Sequence, residues 1–263
     1  MKNVKDLNRF YFMSKIIFLG TAGARYVVAK QLRASAGTII NIENSYLLLD
    51  PGPGTLVHLA KRKIPVEKIS TIVVSHHHLD HSADLNVIVD AVTEGGFKKR
   101  GIVFLTESAL KESILLPYLT HYLKKIEILK PHTFYEETPF KFKTTCLLKH
   151  SVENYGFLFY FPEEKIIGFL TDTAYFDELA NEFIEANILV IYTVRYTPKD
   201  GVLHLSISDV KKILTKIKPE EVILTHFGMT MLKANPFKVA QELSKELGLK
   251  IRACYDGMEI KIA

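Results

Sequence analysis

Residues 75–81 read Ser-His-His-His-Leu-Asp-His, four imidazoles and one carboxylate packed into six successive positions. They stand directly behind Ser70 to Ser75, a continuous, largely β-branched run suited to a strand buried on both faces. Polar side chains beside a core are costly to keep for packing alone, because each must find a partner away from water. A buried strand running into a histidine-dense turn therefore predicts metal binding at a strand end. His76 and His78, two apart, point the same way in an extended segment and can share one ion. Asp80 and His81 come after the chain turns and can face a second ion, while His77 is expected to point away. A surface histidine tract with adventitious metal affinity is the plainer alternative, and the strand before the cluster argues against it.

One cluster supplies too few ligands for two ions. Other donors stand at the ends of apolar runs: His150 after Thr144 to Lys149, Asp172 after Phe169-Leu170-Thr171, and His226 after Val222 to Thr225. A carboxylate such as Asp172 can bridge two cations with one oxygen each. The expectation is His76, His78 and His150 on one ion, Asp80, His81 and His226 on the other, and Asp172 between them. Such a pair leaves room for a shared water, whose pKa two cations lower from about 15.7 toward about 7, giving a bridging hydroxide. Asp80 can also orient or deprotonate that water, a catalytic role. His204, in Leu203-His204-Leu205-Ser206, is left as a general acid for the leaving group. Simpler readings stand beside these. Asp172 can cap a helix from Ala174 onward, and His204 can pack at the start of a helix over 207–217. His58, His121 and His132, single histidines in apolar settings, read as hydrogen-bonded core residues.

The rest of the chain alternates short apolar runs with amphipathic stretches. Strands are expected at Ile16 to Leu19, Gly37 to Ile42, Ser45 to Asp50, Phe140 to Lys149, Tyr155 to Phe161, Lys165 to Leu170, Ile188 to Val194, Glu221 to Thr225, Lys250 to Cys254 and Met258 to Ile262. Glu43-Asn44 reads as a hairpin turn. Helices are expected at Thr55 to Lys63, Ser82 to Val92, Phe176 to Glu185, Ile207 to Ile217 and Pro236 to Leu247. Residues 111–138 are the least regular and read as a helical insertion near the site. Two sheets with helices outside account for this order, in one α/β domain over 1–263 whose first 12 residues read as an N-terminal extension. Met13 offers a second plausible start.

A formal charge of +5 is compatible with an anionic substrate and falls short of a nucleic-acid signature. Only two cysteines occur, Cys146 and Cys254, in apolar segments, which points to a reducing compartment. No apolar run approaches the ~20 residues of a membrane helix, and the charged start lacks a signal-peptide core, so a cytoplasmic location is expected. Arg25, Arg33 and Tyr192 are candidates to line the pocket. A homodimer stays open.

His76, His78, Asp80 and His81 resemble the His-x-His-x-Asp-His hallmark of the metallo-β-lactamase superfamily. Leu48-Leu49-Asp50-Pro51-Gly52 matches its upstream acidic motif, in which Asp50 is expected to brace the metal loop rather than bind metal. The resemblance covers nearly the whole chain from Met13 and implies an α/β, four-layer αββα sandwich of two mixed sheets flanked by helices. Leu19 to Gly23, Lys149-His150-Ser151, Leu170 to Ala174, His204 and Ile223 to Phe227 are similar to one branch. It contains RNase Z, the tRNA 3′-processing endonuclease, and the cyclic-phosphate phosphodiesterase of bacterial phosphonate breakdown. By this likeness His150, Asp172 and His226 are metal ligands and His204 assists catalysis, on two divalent ions, zinc first, with manganese or iron(II) as alternatives. The long Gly- and basic-rich arm with which RNase Z clamps tRNA is not visible here, and 111–138 contains no glycine. A small or cyclic phosphodiester is therefore the expected substrate, ahead of RNA. A non-catalytic metal-binding or sensor protein of the same fold is the remaining alternative.

Overall fold

The computed structural model describes residues 14–35 and 37–262, so the expected extension over 1–12 lies outside the described residues. The central strands alternate their side chains between two buried faces, while the edge strands leave one face to solvent. The first sheet contains β1 (Lys15–Phe18), β2 (Thr38–Ile42), β3 (Ser45–Leu49), β4 (Ile69–Val73), β5 (Ile102–Leu105) and β6 (Lys125–Ile128). The second contains β7 (Phe134–Glu137), β8 (Phe140–Leu147), β9 (Tyr155–Tyr160), β10 (Ile166–Leu170), β11 (Ile188–Tyr192), β12 (Glu221–Thr225) and β13 (Ile251–Ala253). β14 (Glu259–Lys261) returns to the first sheet, giving the orders β14-β1-β2-β3-β4-β5-β6 and β13-β12-β11-β10-β9-β8-β7. Both sheets are mixed: β3 to β6 run parallel and so do β10 to β13, with antiparallel pairing elsewhere.

Period-two alternation divides the apolar side chains into three layers. Ile16, Phe18, Leu47, Leu49, Val73 and Phe104 face across to Phe142, Phe157, Phe159, Phe169, Val190 and Ile223 between the sheets. Their neighbours Ile17, Leu48 and Ile72 turn outward onto helices α2 (Thr55–Lys61) and α4 (Leu85–Val92). On the far side, Leu189, Ile191, Val222 and Leu224 pack under α7 (Ile207–Lys216) and α9 (Pro236–Leu247). The result is the four-layer αββα sandwich.

Glu43 and Asn44 form the hairpin turn between β2 and β3 with positive φ of 50° and 65°, as the twist of paired strands favours. The segment expected to be a helical insertion is mostly not one. Residues 111–138 hold the end of α5 (Glu107–Lys111), the four-residue α6 (Pro117–Thr120), then β6 and β7 at the rims of the two sheets. Lys125, Glu127, Glu136 and Glu137 decorate those edge strands, which protects an open edge and dilutes the hydrophobic alternation that would mark a strand in sequence. The expected helix over 176–185 is a tight 3-10 turn, Leu179–Phe183. The crossover from β10 to parallel β11 first carries Asp172 over the sheet end, leaving a short span to cover the sheet with Leu179, Ala180 and Phe183. The expected helix from Ser82 breaks into α3 (Leu79–Ser82) and α4. No helix among the described residues is long and apolar enough to cross a membrane.

Phe142 is fully buried against Phe104, Tyr135, Phe157 and Phe159. Phe142→Ala is expected to lower unfolding free energy by about 3–5 kcal/mol in urea titrations. A loss below about 1 kcal/mol would contradict the packing described between the sheets.

Candidate metal centre

Every donor at the site leaves a strand at the same end of the sandwich. β3 runs into Asp50, β4 into Ser75 and His76, β8 into the turn bearing His150, β10 into Asp172, β11 into the segment bearing His204, and β12 into His226. Asp50 is fully buried and grips the histidine turn at three points. Oδ1 accepts the Ser75 backbone N–H at 2.7 Å, while Oδ2 accepts Ser75 Oγ at 2.8 Å and His81 Nδ1 at 2.9 Å. A hydroxyl carries one proton. With that of Ser75 given to Asp50, His76 Nδ1, 3.0 Å from Ser75 Oγ, must be the donor there. The tautomer inferred in this way leaves Nε2 of His76 with its lone pair toward the centre, and the Asp50 contact does the same for His81. His150 Nδ1 donates to the Leu203 carbonyl at 3.1 Å, which frees its Nε2 as well.

The inward atoms form two groups. His76 Nε2 and His150 Nε2 each lie 3.1 Å from His78 Nδ1. Tetrahedral ligands about 2.0–2.1 Å from an ion stand roughly 3.3 Å apart, so this spacing suits one cation. In the second group, Asp172 Oδ2 lies 3.2 Å from His81 Nε2 and 3.3 Å from His226 Nε2, and Asp80 Oδ2 lies 3.7 and 3.6 Å from the same two nitrogens. Asp172 also reaches toward the first group, 3.9 Å from His76 Nε2. Among the described residues, His81 Nε2, His226 Nε2 and Asp172 Oδ1 are buried without a hydrogen-bond partner. Buried polar atoms rarely stay unpartnered, so convergent orphan lone pairs fit a cation held between them.

The electrostatics agree with that assignment. Burial pushes His76 well below the usual imidazole range, with the neighbouring His81 adding to it. Burial and His150 push His78 down to about 4, and burial likewise lowers His150. Neutral imidazole is the ligating form. Burial opposes charge on Asp172, yet His226 and His204 hold it ionised well below the carboxylate range. Burial also opposes charge on His81, but Asp80 and Asp50 raise it well above the imidazole range. The carboxylates of this second group call for positive charge, which a proton supplies when a metal does not.

Each sequence-derived candidate is accounted for. His76, His78, Asp80, His81, His150, Asp172 and His226 come together in the two groups. His204 stands beside them, with Nδ1 3.3 Å from Asp172 Oδ1 but outside hydrogen-bond geometry. His77 turns away from both groups toward Ser108 Oγ at 3.3 Å. His121 and His132 are surface residues rather than core, because their segments form the rim of the sheets, and His58 is half-buried. Tyr192 does not line the pocket. It is buried beneath the second group, its ring stacked on His226 at 4.7 Å and on His81 at 6.0 Å. Arg33 also lies elsewhere, its guanidinium over the Phe237 ring. Only Arg25 of the three lines the cleft above the site. Ser75, the Leu203 carbonyl and Tyr192 as a stacking platform were missed, since none carries a ligand signature in sequence.

The model of the β-lactamase superfamily domain matches residues 45–227, which span the site from β3 to His226. The chain belongs to the β-lactamase superfamily. An uncharacterized protein of Methanocaldococcus jannaschii is 29% identical over 258 residues, covering 94% of this chain and 95% of its own. Ribonuclease Z of Borreliella burgdorferi is 25% identical over 275 residues, covering 81% of this chain and 85% of its own. Among solved structures, the metallo-β-lactamase fold protein YhfI of Bacillus subtilis superposes with a TM-score of 0.81 at 21% identity, over 95% of this chain and all of that one. A diphosphatase of the PhnP family superposes with a TM-score of 0.72 at 18% identity, over 95% and 97% of the two chains. These likenesses support the αββα fold and a metal-dependent hydrolase of this superfamily.

Asp50→Ala removes the brace without touching an inward-facing donor. It is expected to weaken zinc binding about 10- to 100-fold in chelator competition. Unchanged affinity would show that Asp50 does not orient the ligands.

Proposed function

We propose that the protein is a dinuclear phosphodiesterase acting on a small or cyclic phosphodiester. The observation that carries this reading is the pairing of a three-histidine group with an Asp80-His81-Asp172-His226 group, Asp172 reaching both. In this reading His76, His78 and His150 would hold one ion and Asp80, His81 and His226 the other, with Asp172 within reach of both groups. Two divalent ions held there, zinc by the His/Asp chemistry, would supply charge neutralisation for a phosphate and acidify bound water. Asp50 keeps the imidazoles turned inward. With Oδ2 turned toward His81 and His226, Asp80 has its other carboxylate oxygen left to orient the attacking water. His204 is four-fifths buried yet lines the cleft, placed by the capping box of Ser206 and Asp209 that starts α7. From there it donates a proton to the oxygen leaving phosphorus.

The relatives named ribonuclease Z and PhnP-family diphosphatase both act on phosphorus esters or anhydrides, which favours phosphorus over a carbonyl centre. Between the two, the small substrate is preferred. Residues 111–138 complete the sheets as β6 and β7, so no arm projects from that segment to grip a folded RNA.

Zinc-loaded protein is expected to hydrolyse bis(p-nitrophenyl) phosphate, to lose turnover with a chelator and to regain it with zinc or manganese. Inactivity of fully metallated protein toward every phosphodiester offered would overturn the reading. His204→Ala is expected to lower kcat about 10²- to 10⁴-fold on an alkyl ester and much less on a nitrophenyl ester, whose leaving group needs no proton. Equal losses on both would remove the general-acid role.

A further inference from the structure

Five imidazoles belong to the two donor groups, and four of them are oriented from behind by another protein group. Ser75 Oγ stands 3.0 Å from His76 Nδ1, Ser151 Oγ 3.3 Å from His78 Nε2, Asp50 Oδ2 2.9 Å from His81 Nδ1, and the Leu203 carbonyl 3.1 Å from His150 Nδ1. His226 is the exception. Its Nε2 points at Asp172 and Asp80, 3.3 and 3.6 Å away, which leaves Nδ1 on the other side of the ring. Gly23, ahead of α1 (Ala24–Ala29), closes the Cδ2 edge, where a Cβ would fall 2.7 Å from that carbon. No hydrogen-bond partner meets Nδ1 among the described residues, although His226 is only 2% exposed. An imidazole that offers one nitrogen to a cation keeps a proton on the other, and that proton goes to a carboxylate, a carbonyl or a water.

His226 also lines a small internal cavity, separate from the cleft, together with Gly20, Gly37, Thr38, Tyr192 and Thr225. All six residues are buried. The cavity measures about 10 Å³, room for one water-sized sphere of ~10–15 Å³ and for nothing larger. A space this small puts every group that lines it within contact of a single occupant. Cavities that stay dry are lined by apolar side chains, and this one is not. Neither the Thr38 nor the Tyr192 hydroxyl has a hydrogen-bond partner among the described residues, and each residue is 4% exposed. Buried polar atoms rarely stay unpartnered. Here an imidazole nitrogen and two hydroxyls, brought from the loop after β12, from β2 and from β11, need partners around one space. An internal water is satisfied by two to four such groups.

We propose that this cavity binds a single internal water that accepts the Nδ1 proton of His226, with the Thr38 and Tyr192 hydroxyls as its further partners, and so turns His226 Nε2 toward the second donor group. The water is to His226 what the Asp50 carboxylate is to His81. The inference rests on the two-ion reading for the direction of that proton, and on the cavity alone for the water.

High-resolution diffraction from zinc-loaded crystals tests it. A density peak is expected in the cavity, within hydrogen-bond distance of His226 Nδ1 and of Thr38 Oγ1 or Tyr192 Oη. Long-range proton–nitrogen NMR of the same protein is expected to show His226 as the Nδ1–H tautomer. Both readouts use the wild type, so they stand even where a variant fails to fold. The double variant Thr38→Val/Tyr192→Phe keeps side-chain volume and the stacked ring while removing two hydroxyls. It is expected to lose the peak and to hold zinc among Asp80, His81 and His226 about tenfold more weakly in chelator competition. Zinc on His76, His78 and His150, read from anomalous occupancies, keeps its affinity. Thr38→Ser, which retains the hydroxyl, is expected to bind both ions as the wild type does. Two bound zinc ions with no peak in the cavity, or a peak whose loss leaves both affinities unchanged, overturns this inference and leaves the two-ion reading standing. A peak at His226 Nδ1 in protein that holds no zinc at His226 supports the water site and overturns the two-ion reading.

Discussion

The carboxylate of Asp50 governs the site without facing its centre. Buried completely at the end of β3, it accepts the Ser75 backbone, the Ser75 hydroxyl and His81 Nδ1, and through Ser75 it fixes the tautomer of His76. One residue of each donor group is thereby turned inward by a single side chain. A buried carboxylate is tolerated only when its lone pairs are used, and here three contacts use them. Asp50 sits in the left-handed region with φ of 54°, a local strain that the surrounding contacts hold in place.

The fold makes this economical because the strands deliver every donor to one edge. β3, β4, β10, β11 and β12 are buried on both faces, so the sandwich core positions the ends of the strands while the loops beyond them carry the clustered donors. Tyr192 extends the same rigidity beneath the second group, its ring stacked under His226 and His81. The Thr21–Gly23 backbone, hydrogen-bonded to Phe227, ties the first strand's exit to the loop that bears His226. Segments far apart in the chain, β1 with His226 and β3 with His81, are thus joined at the centre.

Much of this was readable from residue order. The histidine turn announced itself because four imidazoles and a carboxylate crowd a strand end, and His150, Asp172 and His226 because each closes an apolar run. Helices α7 and α9 kept their 3.6-residue periodicity and were found nearly to the residue. Edge strands β6 and β7 were not found, since their charged, solvent-facing positions blur the alternation that buried strands keep. His121 and His132 were misplaced for the related reason that a single histidine carries no pattern. The parts played by Ser75, the Leu203 carbonyl and Tyr192 depend on contacts between segments distant in sequence, which spacing cannot reveal. Arg25, Arg33 and Tyr192 look alike as pocket candidates in sequence, and in the structure Arg25 alone of the three lines the cleft.

The central claim is that the clustered donors form two cation sites sharing Asp172. Anomalous diffraction from zinc-loaded crystals tests it most directly. The account predicts two zinc peaks per chain, one among His76, His78 and His150, the other among Asp80, His81 and His226, with the Asp172 carboxylate touching both. A single peak, or zinc bound elsewhere with these donors paired to one another, would contradict it.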